Sequence, residues 1–239
     1  MDENIGNKSK EEVWYSTNAM FLYGEVNSWM SRNLKITGSL GMFWQSKLDE
    51  IFEDAKKEWE KYPSLIEMTD DIVELERIEI YENYPRVLWS SIFISTFHSF
   101  ESLLIRMCDF SPKDICKIRF KEYTTRSRGV GKVYSYLKDN GLEHELLHWN
   151  QVQSLKSLRN AIVHNDGNLH GIKNEEKLRE YLSNNEYVWL EDDNFIHFNH
   201  NFIGYAIYLM FDFLEEVHGA IFSAYWKAMK EELIAEGKL

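Results

Sequence analysis

Apolar residues recur along this chain at spacings of three and four, the period of a helix with one buried face. Trp14, Met20, Phe21, Leu22, Val26 and Trp29 predict a helix over 13–30. Met42, Phe43, Leu48, Ile51, Phe52, Ala55 and Trp59 predict a second over 39–61, ended by Pro63, whose missing N–H cannot continue it. The stretch 64–82 is mixed, with Ile72, Leu75, Ile78 and Ile80 spaced for a short helix. Asn83-Tyr84-Pro85 is the clearest break in the first half, because the residue before a proline is pushed out of helical backbone. Pro85 itself suits a first helical turn. A long, mostly buried helix is predicted over 86–109, carrying Val87, Leu88, Ile92, Phe93, Ile94, Phe97, Phe100, Leu103, Leu104 and Met107, and Ser111-Pro112 stops it.

Residues 117–128 lack apolar periodicity. Val133, Tyr134 and Leu137 predict a shorter helix over 129–138, closed by Asn140-Gly141. Leu147, Val152, Leu155, Leu158 and Ile162 form one stripe and predict a helix over 143–163. Asn165-Asp166-Gly167 ends it, with Gly167 suited to the left-handed position that follows a helix. A short charged helix over 174–182 comes next. Tyr187–Leu190 and Phe195–Phe198 flank the polar Glu191-Asp192-Asp193-Asn194 and predict a β-hairpin. The last helix is predicted over 201–236. The expected fold is therefore all-α, a helical bundle with a small β-hairpin before the last helix. The natural seam lies near Pro85, between an N-terminal helical extension (1–84) and a helical core (85–239).

Composition agrees: 44% of residues are apolar and 15% aromatic, ample for a core, with only 3 prolines and 12 glycines to punctuate it. The formal net charge of −12 argues against broad adhesion to nucleic acid, though not against a locally basic cleft. The one basic stretch holds Lys117, Arg119, Lys121, Arg126 and Arg128, with Phe120 and Tyr123 among them. It suits either an RNA path or a solvated loop. Cys108 and Cys116 read as idle thiols of a reducing compartment. Met1-Asp2-Glu3-Asn4 opens no secretion signal. No apolar run reaches the roughly 18 residues a membrane span needs. The expectation is a cytoplasmic protein that needs no cofactor or metal and has no membrane association.

Candidate chemistry concentrates in Arg159-Asn160-Ala161-Ile162-Val163-His164-Asn165-Asp166-Gly167. An arginine offers a planar fork of donors to a phosphate. A histidine moves protons near neutral pH. At about 100° per residue, Asn160 and His164 share one side of their helix, roughly opposite Leu155, Leu158 and Ile162. They therefore face solvent or another subunit if those leucines face the core. Arg159 is offset by about 100° from Asn160. The bland alternative is a histidine favoured by the helix dipole and an arginine that snorkels.

Arg-Asn, three residues and His, closing a helix of an all-α domain, resembles the HEPN superfamily signature, in which Arg and His are separated by four to six residues with a polar residue after the Arg. The resemblance covers roughly residues 85–220. It implies a helical bundle in which the motif ends the third or fourth helix, with an acidic residue on an earlier helix facing it. Glu101 stands in that place. A carboxylate among Phe97, Phe100, Leu103 and Leu104 needs a partner, since burying it alone is costly. Arg159 and Arg106 are the candidates. Members that keep Arg and His are mostly metal-independent endoribonucleases acting as toxins, abortive-infection proteins or antiviral effectors, as dimers whose motifs share a cleft. The implied catalytic residues are Arg159, Asn160, His164 and Glu101. The implied partners are RNA, a second copy of the chain, and an antitoxin or regulator. Other members are non-catalytic modules that bind a nucleotide or a protein.

A rival signal sits upstream. His144-Glu145-Leu146-Leu147-His148 matches the zinc-hydrolase pattern, in which two histidines one helical turn apart hold the metal and the glutamate acts as base. No strand precedes it, however, and a third ligand would have to come from Glu175, Glu176 or Glu180. His197 and His200 flank the hairpin's end, with His197 on the polar side of its strand. Gly129-Val130-Gly131-Lys132 lacks the spacing of a phosphate-binding loop.

Overall fold

A computed structural model describes residues 10–61, 81, 83–109, 118–143, 146–192 and 194–237, and about 75% of these are helical. In chain order the elements are α1 (Lys10–Trp59), α2 (Tyr84–Asp109), α3 (Val130–Asp139), α4 (Trp149–Asn165), α5 (Glu175–Ser183), β1 (Val188–Glu191), β2 (Phe195–Phe198) and α6 (His200–Ala235). The fold is all-α with one two-stranded antiparallel hairpin before the last helix, as expected. The helix expected within 64–82 lies outside the described residues, apart from Tyr81.

One long α1 replaces the two helices expected over 13–30 and 39–61. Its buried stripe runs through Leu22, Val26 and Trp29 and continues through Thr37, Gly41 and Leu48. The middle of that stripe is polar or small, so apolar periodicity fades where the helix does not. The same phase turns Met42, Phe43 and Ile51 outward, 73%, 56% and 43% exposed, although their spacing suggests the buried face.

The described residues divide into two compact units, each drawing on chain from both sides of Pro85. The first takes 1–31, 98–153 and 208–239; the second takes 32–97 and 154–207. In the first, Trp29 Nε1 donates to Ser99 Oγ at 2.8 Å and its ring lies 6.4 Å from Phe100. Phe100 meets Phe213 edge-on, Trp149 packs 6.1 Å from Phe213, and Tyr134 lies flat on Trp149 at 3.9 Å. In the second, Phe93 packs against Phe97, Phe198 and Phe202, with centroids 5.8 to 6.2 Å apart. Burying each such ring stabilises the fold by about 1.5–3 kcal/mol.

Within the second unit the hairpin pairs Val188 with Phe198, Trp189 with His197, Leu190 with Ile196 and Glu191 with Phe195. Chain leaving α4 lies along β2: Leu169 N donates to Asn194 O and Ile196 N to Gly167 O, both at 3.0 Å. The hairpin thus fixes the turn that follows the Arg–His segment. Among the described residues no helix is long and apolar enough to cross a membrane.

Candidate active site

The end of α4 is set by two consecutive left-handed residues, Asp166 (φ 51°) and Gly167 (φ 76°). Glycine is the residue expected to reverse the chain here; the aspartate shares that work. Gly167 N donates to Ala161 O at 3.0 Å and Asn168 N to Asn165 O at 2.8 Å, which satisfies two carbonyls near the helix end. The Asn165 carboxamide donates to the carbonyl of Asn168, and Asn168 Oδ1 accepts the His170 amide at 2.8 Å. Leu169 is fully buried beneath this turn.

Leu155 and Leu158 are fully buried and Ile162 is half-buried, as the stripe requires. His164 is exposed in the last turn, on the side expected, and forms no hydrogen bond or ion pair among the described residues. Asn160, one turn earlier, is half-buried. Arg159 is half-buried and its Nη1 donates to Asn160 Oδ1 at 3.0 Å. By helical phase Asn160 shares a side with His164, so the bond ties Arg159 to a residue of that side. Arg159 Nε is buried and has no hydrogen-bond partner among the described residues. A cationic donor left unsatisfied in this way is a costly arrangement unless an anion completes it.

Glu101 belongs to the first unit and the Arg159–His164 segment to the second. Glu101 is half-buried, and its Oε1 accepts the Val130 amide at 3.2 Å, the first residue of α3. Arg106, its other expected partner, donates to Glu25 Oε1 at 3.1 Å. Arg119, Lys121, Arg126 and Arg128 are all exposed on the loop before α3, while Lys117 lies outside the described residues.

The described part of the zinc-like segment, residues 146–148, lies before α4 rather than on a helix as expected. α4 starts at Trp149, so Leu147 leaves the stripe and is 78% exposed, while Leu146 is buried in its place. His144 and Glu145 lie outside the described residues. His148 immediately precedes α4, and its carbonyl accepts the Val152 amide at 3.0 Å. Its own amide donates to Glu216 Oε2 at 3.1 Å and its Nδ1 meets Glu216 Oε1 at 2.6 Å. Glu216 on α6, 68 residues away, thus caps α4 with Oε2 and holds the His148 ring with Oε1. No sequence spacing announces that pair. Among the described residues no three His, Cys, Asp or Glu side chains gather to hold a metal.

His197 is 4% exposed rather than on the surface. Strand alternation places it opposite Trp189, whose ring covers it at 5.7 Å, and Glu191 Oε2 lies 2.7 Å from its Nε2, close but out of line for a hydrogen bond. His200 opens α6, half-buried, with its ring 5.8 Å from Trp89 and a methyl group's breadth from Gly41. Both histidines are part of the packing.

No protein-family model matches this chain, and no characterised protein and no solved structure matches it.

Proposed function

We propose that this protein is a metal-independent endoribonuclease of the HEPN type, working from the end of α4. The observation that supports the reading is the Arg159–Asn160 hydrogen bond beside an exposed His164 that has no partner among the described residues. It gathers an anion-binding fork and a proton carrier on one helix end, with Arg159 Nε still lacking an acceptor among those residues. In the proposed reaction His164 takes the proton of a ribose 2′-hydroxyl. The 2′-oxygen attacks the adjacent phosphorus and forms the new O–P bond. The 5′-oxygen leaves with the electron pair of the broken P–O bond and takes a proton from the His164 of a second copy or from water. The products are a 2′,3′-cyclic phosphate and a 5′-hydroxyl. Arg159 stabilises charge on the non-bridging phosphate oxygens, and Asn160 orients Arg159. A homodimer with a composite cleft belongs to the same proposal and suits a His164 that faces away from its own core. A toxin or antiviral role, held in check by a partner protein, is the setting this chemistry suits.

Proton transfer contributes about 10²–10⁴ in rate and a positioned charge-stabilising donor about 10²–10³. The test is incubation of the purified chain with total RNA in excess chelator, followed by end-group analysis. Cyclic phosphate ends that vanish in His164→Ala and Arg159→Ala are expected. Cleavage undiminished in both variants, or no cleavage by the parent, sinks the reading.

A further inference from the structure

The described part of the loop before α3, residues 118–129, carries a cluster of cations. Arg119, Lys121, Arg126 and Arg128 are exposed, and none forms an ion pair among the described residues. The chain carries 39 acidic residues against 27 basic ones, so four neighbouring unpaired cations run against its composition. Glu122 is the one carboxylate within 118–129.

The described part of the loop is held in shape at two places. Phe120 is buried against Tyr136 at 5.0 Å, with Lys132 Nζ 4.5 Å above its ring. Tyr123 packs 5.5 Å from the same Tyr136 and donates its hydroxyl to Asp139, which pushes the phenol up to about 12. At the other end Gly129 takes a left-handed φ of 54°, and a Cβ there would collide with the Glu101 carboxylate. Glu101 in turn fixes the Val130 amide. Cations displayed on a braced loop bind with less ordering cost than cations on a slack one.

We propose that this loop docks the phosphate backbone of single-stranded RNA, with Glu101 as the residue that positions it. The choice of RNA among polyanions rests on the functional reading of α4. The experiment is fluorescence anisotropy of a labelled single-stranded RNA oligonucleotide with the full chain carrying His164→Ala, so that the RNA stays intact whether or not α4 is a nuclease. Adding Arg119→Gln, Lys121→Gln, Arg126→Gln and Arg128→Gln together should weaken binding at least about tenfold at low salt. It should also lower the steepness of the log–log salt dependence by roughly 2–3, about 0.7 for each phosphate that is no longer neutralised. Glu101→Gln, which still offers an oxygen to Val130, should bind like the parent, whereas Glu101→Leu should weaken binding with all four cations present. Unchanged affinity and salt slope in the four-site variant would overturn the proposal. So would binding to vesicles of anionic phospholipid but not to RNA. Failure of RNA cleavage with loop-dependent binding intact would overturn the α4 reading and leave this one standing.

Discussion

The two ends of α4 each carry a histidine, and the surroundings treat them in opposite ways. His148, before the first turn, gives both its amide and its Nδ1 to Glu216, so its donors are spent on holding the helix start. His164, in the last turn, is exposed and bonded to nothing among the described residues, one turn after the Asn160 that accepts from Arg159. Both sit in sequence patterns that suggest chemistry, the two-histidine zinc motif at the start and the Arg–His segment at the end. The comparison teaches that a histidine's availability is decided by the partner that fixes it, and that partner can lie far away in sequence.

His164→Ala should reduce RNA cleavage by about 10²–10⁴-fold while leaving the melting temperature within about 2 °C, since an exposed side chain contributes little to folding. Arg159→Ala should cost about 10²–10³-fold, read as a loss in kcat at saturating RNA. At the other end of the helix the effect should be on stability. Glu216→Ala strips the cap from α4 and should destabilise the fold by about 1–3 kcal/mol in urea titration, with the specific activity of the folded fraction unchanged. A loss of activity without a loss of stability there would erase the contrast between the two ends.

The smallest effect concerns the turn beyond His164. The Gly171 amide and then Arg179 hold the Glu175 carboxyl below its ordinary range. A lowered folded value means that the stabilisation is present above the ordinary glutamate range and is lost as pH falls through the lowered value. Amide exchange at Gly171 should therefore be slow at neutral pH and, corrected for intrinsic rates, gain openness on acidification. Glu175→Gln should make that openness nearly independent of pH.

Much of the architecture is legible in the chain. Pro85, Gly141 and Gly167 mark real element ends, because proline and glycine act through local backbone geometry. The hairpin and the closing α6 follow from alternation and from period. α1 reads as two helices because Asn33, Thr37 and Gly41 continue its inner face without apolar side chains. Thr96 Oγ1 lies 3.5 Å from Asn33 Oδ1, and Gly41 leaves room for His200. Leu147 reads as part of the buried stripe, yet the chain enters α4 six residues later than its apolar residues suggest, at the point where Glu216 supplies the cap. Alternation alone assigns His197 to the surface, whereas Trp189 across the strand covers it. At the candidate site the side of the helix that carries His164 is legible from helical phase. The hydrogen bond that brings Arg159 to Asn160 is not, because it depends on a rotamer rather than a spacing.

The most direct test sets the two histidines against each other. The full chain, His148→Ala and His164→Ala should be incubated side by side with RNA in excess chelator, with cyclic phosphate ends as the readout. Cleavage by the parent and by His148→Ala, with none by His164→Ala, is the predicted result. Cleavage that survives loss of His164 and disappears with loss of His148 would contradict the account at its centre.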